Sequence, residues 1–157
     1  MGQRDAQYRL AGLVELDDSF FGPTSSEGKR GRGSERKITV LIAVSIYTDR
    51  EGKERPGFAH AQVVSDVSAE TVDHFLDRLG IAPPDKEFLI EEIRTDGWRS
   101  YRKAANDKGI GHHRVILRDP KMAGHLLPWT HRFVSNAKAV FRGPHRGVCR
   151  TSSKVPF

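Results

Sequence analysis

Two aspartates and a histidine carry the chemistry this sequence can offer. Asp17 lies toward the end of RLAGLVELDDSFFG, Arg9 to Gly22, and Asp96 lies where FLIEEIRTDGW, Phe88 to Trp98, gives out. Both runs read as strands. In the first, Leu13, Glu15 and Asp17 share one face and Val14, Leu16 and Asp18 the other. Carboxylates at the ends of two adjacent strands are hard oxygen ligands, of the kind that hold Mg²⁺ or Mn²⁺ together with waters and substrate phosphate. A pair of such ions activates a nucleophile and stabilises the leaving oxygen of a phosphodiester. The plainer alternative is a turn and a cap, because Asp96-Gly97 is a common turn pair.

A third group comes from THRFVSNAKAVFRG, an amphipathic helical segment with no acidic residue, expected from about Pro128 to Arg142. Phe133, Val134, Ala137, Val140 and Phe141 form its apolar stripe, and His131, Ser135, Lys138 and Arg142 a neighbouring polar one. Imidazole, hydroxyl, ammonium and guanidinium in a row suit a phosphate-bearing substrate, with Lys138 as a point charge on the backbone. The alternative is a solvated basic face with a structural histidine, one of seven in the chain.

The elements that must position these groups follow from pattern. ITVLIAVSIY, Ile38 to Tyr47, is apolar and β-branched throughout, which predicts a central strand buried on both faces. GFAHAQVVS, Gly57 to Ser65, predicts an antiparallel partner. SAETVDHFLDRLG predicts a helix capped by Ser68, with Val72, Phe75, Leu76 and Leu79 as its stripe and Gly80 as its end. WRSYRKAAND predicts a short helix closed near Gly109, and HHRVIL a fifth strand. The order βββαβαβα packs economically as an α/β mixed five-stranded sheet covered by helices, and it can set the first and fourth strands side by side. GPTSSEGKRGRGSERK is a basic, Gly- and Ser-rich loop. It is not a phosphate-binding P-loop: its glycines are spaced one residue too far, and Arg30 stands where Ser or Thr is needed.

Composition narrows the partners. The 157 residues carry 26 Lys and Arg against 20 Asp and Glu, a net charge of +6 that favours a polyanion, nucleic acid first. No Asp or Glu occurs after Met122, and a second basic cluster spans Gly28 to Lys37. The polar start MGQRDAQYRL lacks the apolar core of a signal peptide, and no apolar run approaches the ~20 residues of a membrane span. The single cysteine, Cys149, permits neither an internal disulfide nor a four-cysteine zinc ribbon within the chain, and it suits a reducing compartment.

Taken together, VELDDSFFG, the basic loop, TDGWRSY and HRFVSNAKAVFRGPHRGV resemble the catalytic domain of bacterial insertion-sequence transposases of the DDE type, the ISXO-like transposase domain. The resemblance implies a ribonuclease-H-like fold over residues 9–148, with 22–37 as a flexible basic loop and 1–8 and 149–157 as tails. It implies that Asp17, Asp96 and His131 hold two Mg²⁺ or Mn²⁺ ions, with His131 at the position usually held by glutamate, and that Lys138 completes the catalytic set. Lys29, Arg30, Arg32, Arg36, Lys37, Lys138, Arg142 and Arg146 are then the DNA contacts. The implied activity is cleavage of DNA at transposon ends and strand transfer to target DNA, by a homo-oligomer on DNA in the bacterial cytoplasm, associated with the nucleoid and not with a membrane. Members usually carry further segments on both sides, so the chain reads as truncated at both ends. That leaves a catalytically inactive remnant that only binds nucleic acid as the alternative, and a nuclease acting on RNA–DNA hybrids as a third. Imidazole suits Mn²⁺ better than Mg²⁺, which predicts a preference for Mn²⁺ if His131 is a ligand. Its ordinary pKa of ~6.5 also suits a general acid for the leaving oxygen.

Overall fold

A strand with no polar face must be covered on both sides, and Ile38 to Thr48 is so covered in the computed structural model. The structure describes residues 9–22, 37–82, 87–115 and 126–142. In chain order the elements are β1 (Gly12–Phe21), β2 (Ile38–Thr48), β3 (Glu54–Val64), α1 (Ala69–Gly80), β4 (Ile81–Ala82), β5 (Glu87–Phe88), β6 (Ile90–Thr95), α2 (Arg99–Lys108), β7 (Gly111–Arg114) and α3 (Pro128–Arg142). The main sheet has the order β3-β2-β1-β6-β7. β2 is antiparallel to β1 and β3, whereas β6 is parallel to β1 and β7 to β6. This is the mixed five-stranded sheet that the element order predicts. Because β1, β3, β6 and β7 all run one way, their carboxyl ends share one edge, where the polar ends of the motifs collect.

β2 divides the interior. On one face Leu41 and Ala43 join Val14 and Leu16 of β1, Phe75 and Leu76 of α1, and Tyr101 and Ala104 of α2. On the other, Val40, Ile42 and Val44 pack against Trp129, Phe133 and Val134 of α3. Phe75 is the largest apolar side chain α1 buries, and its truncation to alanine belongs to the class of core deletions that cost about 3–5 kcal/mol. α1 and α2 start at the same edge of the sheet and are tied together by Lys108, whose ammonium lies 2.9 Å from Asp73 and 2.6 Å from Asp77. Gly109 closes α2 in the left-handed conformation, φ 66°, and its N–H reaches the carbonyls of Ala105 and Asn106.

The structure departs from the sequence expectation in several places; the fifth strand, expected as HHRVIL, is Gly111–Arg114, and Phe88, expected in the fourth strand, belongs to β5. β3 starts at Glu54, before Gly57, because Pro56 pairs in register with Ile46 across a bulge. Gly80 is the last residue of α1 and not its terminator; the N–H of Ile81 still reaches the carbonyl of Asp77. The chain then enters the β4–β5 hairpin, whose two-residue strands are too short to show any periodicity. Val140, assigned to the core stripe of α3, is 55% exposed. α3 covers β1 and β2 and leaves Ala61 and Val63 of β3 open. Among the described residues no helix is long and apolar enough to cross a membrane.

Candidate active site

β1 and α3 lie against each other and match residue for residue. The carboxylate of Glu15 accepts the N–H groups of Trp129 and Thr130, each at 2.9 Å. Two residues up the strand, Asp17 Oδ2 lies 3.4 Å from His131 Nε2. At the next alternate position Ser19 Oγ accepts from Lys138 Nζ at 3.1 Å. Beyond it the rings of Phe21 and Phe141 meet edge to face, with centroids 5.9 Å apart. Strand alternation keeps Glu15 and Asp17 on one face, as the sequence predicts, and that face meets α3. The opposite face supplies Asp18, whose Oδ1 accepts the buried Tyr101 hydroxyl at 2.9 Å.

Asp96 reaches the same edge through the sheet. Val14 pairs with Ile93 and Glu15 with Arg94 in the parallel β1–β6 register. The pairing ends there; Asp17 lies two residues beyond Glu15 and Asp96 two beyond Arg94, just past the end of β6. Each aspartate is oriented by a nearby main-chain donor: Asp18 N–H to Asp17 Oδ1 at 2.8 Å, and Trp98 N–H to Asp96 Oδ1 at 3.0 Å. The bend holding Asp96 is built by Thr95, whose Oγ1 accepts from Gly97 N at 3.0 Å and lies 2.8 Å from His112 Nε2. Burial lowers the His112 pKa, and the nearby charges of Arg102 and Arg114 add to it. Gly97 has φ 86°, and a β-carbon there would collide with the Arg114 side chain.

The field at this edge is negative. Hydrogen bonding to Asp17 raises the His131 pKa above the usual imidazole range, against the effect of burial, and the charges of Glu15 and Asp96 add to it. Burial raises Tyr101, helped by Asp18, Asp17 and Asp96, and keeps the phenol protonated. Two carboxylates and an imidazole are a donor set that fits a divalent cation, and backbone anchoring of each carboxylate is the outer support such ligands use. Among the described residues, however, no three His, Cys, Asp or Glu side chains already surround a common point; His131 is turned to Asp17 instead.

Of the expected DNA contacts, Lys138 is at the site and Lys37 stands just before β2. Arg142 is the last residue of α3, and its side chain lies outside the described residues, as do Lys29, Arg30, Arg32, Arg36 and Arg146. Ser135, expected on the polar face, is exposed. Sequence reading missed Glu15, which is 0% exposed. Its signal was present: a glutamate flanked by Val14 and Leu16 in a strand, on the face of Asp17. Burial raises its pKa, while the N–H groups of Thr130 and Trp129 and the Arg94 charge oppose that. Tyr101 was also missed, since a tyrosine in a short helix reads as core.

The family model for the ISXO2-like transposase domain matches residues 9–152. Among solved structures the chain is similar to the catalytic core domain of BIV integrase, at 15% identity and TM-score 0.49, with 83% of this chain and 71% of that chain covered. Among curated proteins there is no match. With nearly its whole length matched by that model, the chain belongs to the ISXO2-like transposase domain family.

Proposed function

We propose that this transposase domain cleaves DNA at transposon ends and transfers the freed strand to target DNA, with Asp17, Asp96 and His131 as the metal-holding set. The observation that supports it most is the joint one: His131 lies against Asp17 and is within reach of the charge of Asp96, which follows the strand paired with β1. Bound divalent cations supply the activation of the attacking hydroxyl and the stabilisation of the leaving oxygen. Asp17 and Asp96 would hold them, each with one oxygen already fixed by a backbone N–H. His131 would turn its Nε2 from Asp17 to complete the set. Lys138, beside Ser19, places a positive charge one turn-pair along α3 for the phosphate of the strand being cut. In the first step water replaces the 3′ oxygen at phosphorus and a 3′ hydroxyl is freed. In the second that hydroxyl attacks a target phosphodiester, so one P–O bond forms as one breaks.

We take residues 9–148 as one catalytic domain, acting on DNA as a homo-oligomer in the cytoplasm at the nucleoid, with the basic loop 22–37 along the DNA backbone. One observation favours a second reading, a nucleic-acid-binding protein without catalysis: His131 already satisfies Asp17 Oδ2. Supercoiled plasmid separates the two. The expected result is nicking in Mn²⁺ that stops when EDTA is added. Salt-dependent plasmid binding without any Mn²⁺-dependent nicking would establish the binding-only reading.

A further inference from the structure

On the face of the sheet away from α3 a cavity of about 350 Å³ opens at the same edge as the two aspartates. Phe20 and Trp98 line it, with Thr39, Ser65, Asp66 and Ser68. Its place is fixed by the fold. Phe20 and Thr39 are register partners in β1 and β2, Ser65 and Asp66 follow β3, and Trp98 precedes α2. Crevices outside the carboxyl ends of parallel strands are where α/β sheets bind ligands. The volume is at the small end of the ~300–1,000 Å³ of ligand pockets, room for one planar group.

The lining selects the chemistry. Both helix starts at this edge already hold a carboxylate. Asp66 accepts from Ser68 N–H at 2.8 Å and Thr71 Oγ1 at 2.9 Å, and Asp96 accepts from Trp98 N–H at 3.0 Å. Among the described residues that line the cavity none is Lys or Arg. A phosphate is therefore repelled there, whereas a flat, uncharged group carrying N–H donors is welcome. Trp98 is 42% exposed and offers a stacking surface. It is hydrogen-bonded through its own N–H to the carboxylate proposed to act on the phosphate.

We propose that this cavity takes an unpaired nucleobase of the DNA strand whose phosphate lies at Asp17 and Asp96, stacked on Trp98 and Phe20, with Asp66 accepting from the base edge. The proposal rests on the function proposed above, but its test does not need catalysis. It divides recognition between the two faces of β1: phosphate toward Lys138, base toward Trp98. A duplex keeps its bases stacked and paired, so the cavity discriminates in favour of single-stranded or frayed ends.

The test is binding of short single strands, without metal, by the full chain. Against a strand of the same length made of abasic residues, the wild-type protein should bind the base-bearing strand about tenfold more tightly, since one base–aromatic stack is worth roughly that factor. Trp98→Ala should lose that tenfold, Trp98→Phe should keep part of it, and duplex affinity should move with neither. With Trp129→Phe making Trp98 the sole tryptophan, its emission should be quenched as the base-bearing strand saturates. Equal wild-type affinity for abasic and base-bearing strands would overturn the proposal, and so would unchanged single-strand affinity in Trp98→Ala. The abasic comparison uses wild-type protein alone, so it stands even if a variant fails to fold. Base-dependent binding by a protein that never nicks plasmid would sink the catalytic function and leave the cavity; nicking without base-dependent binding would do the reverse.

Discussion

Asp17→Asn and Asp96→Asn should each reduce Mn²⁺-dependent nicking on the order of 10³-fold or more, the scale expected when one member of an interdependent catalytic set is removed. The amide keeps the shape and one acceptor oxygen, so Asp18 N–H still has its partner at position 17 and Trp98 N–H its partner at 96. What is lost is the charge that holds a hard cation. DNA affinity at fixed salt should stay level or rise, because a negative charge has left a phosphate-facing edge, and the salt dependence set by lysines and arginines should not change. Plasmid nicking and salt-titrated DNA binding on the same preparations check both halves. Either variant cutting at more than about a tenth of the wild-type rate would remove that aspartate from the site.

The second large effect concerns Glu15 and is on stability. Its carboxylate does for α3 what a capping side chain does at a helix start: it satisfies the N–H groups of Trp129 and Thr130. It also faces Arg94, 3.7 Å away, which makes a two-point contact with Glu54 at 2.7 and 3.0 Å. Glu15→Ala leaves two buried donors unmet and opens space under the first turn, which together should cost about 2–3 kcal/mol. For a chain of this size that lowers the thermal midpoint by about 5–10 °C. Glu15→Gln keeps an acceptor oxygen and escapes the cost of burying a charge, so it should stay within about 1 kcal/mol of wild type. Because Glu15 seats the turn that carries His131, nicking by Glu15→Ala should fall further than its folded fraction at the assay temperature accounts for. A thermal midpoint unchanged in Glu15→Ala would mean that α3 is held by its apolar stripe alone.

Much of this was legible in the chain, for identifiable reasons. ITVLIAVSIY has only one structural solution, and a strand with Val14 and Leu16 on one side must show Glu15 and Asp17 on the other. Element order allowed β1 and the strand before Asp96 to lie side by side, and β1 and β6 do pair in parallel. What the sequence could not convey was which partner each polar group would choose. Asp18 looks like Asp17 in the string, and only the pleat sends it to Tyr101 instead of His131. Val140 fits the period of the α3 stripe, yet its side chain is 55% exposed. Glu15 reads as a surface glutamate until α3 is seen to begin directly over it. The cavity between Phe20 and Trp98 joins residues from four separate segments and leaves no local pattern at all.

In the proposed function His131 is a metal ligand beside the two aspartates. Nicking in Mg²⁺ and in Mn²⁺ by the wild type, His131→Glu and His131→Ala tests it most directly. An imidazole in a ligand position should make the wild type favour Mn²⁺, a carboxylate should restore or raise activity in Mg²⁺, and alanine should depress both. His131→Glu inactive with both metals, or His131→Ala as active as wild type, would contradict it.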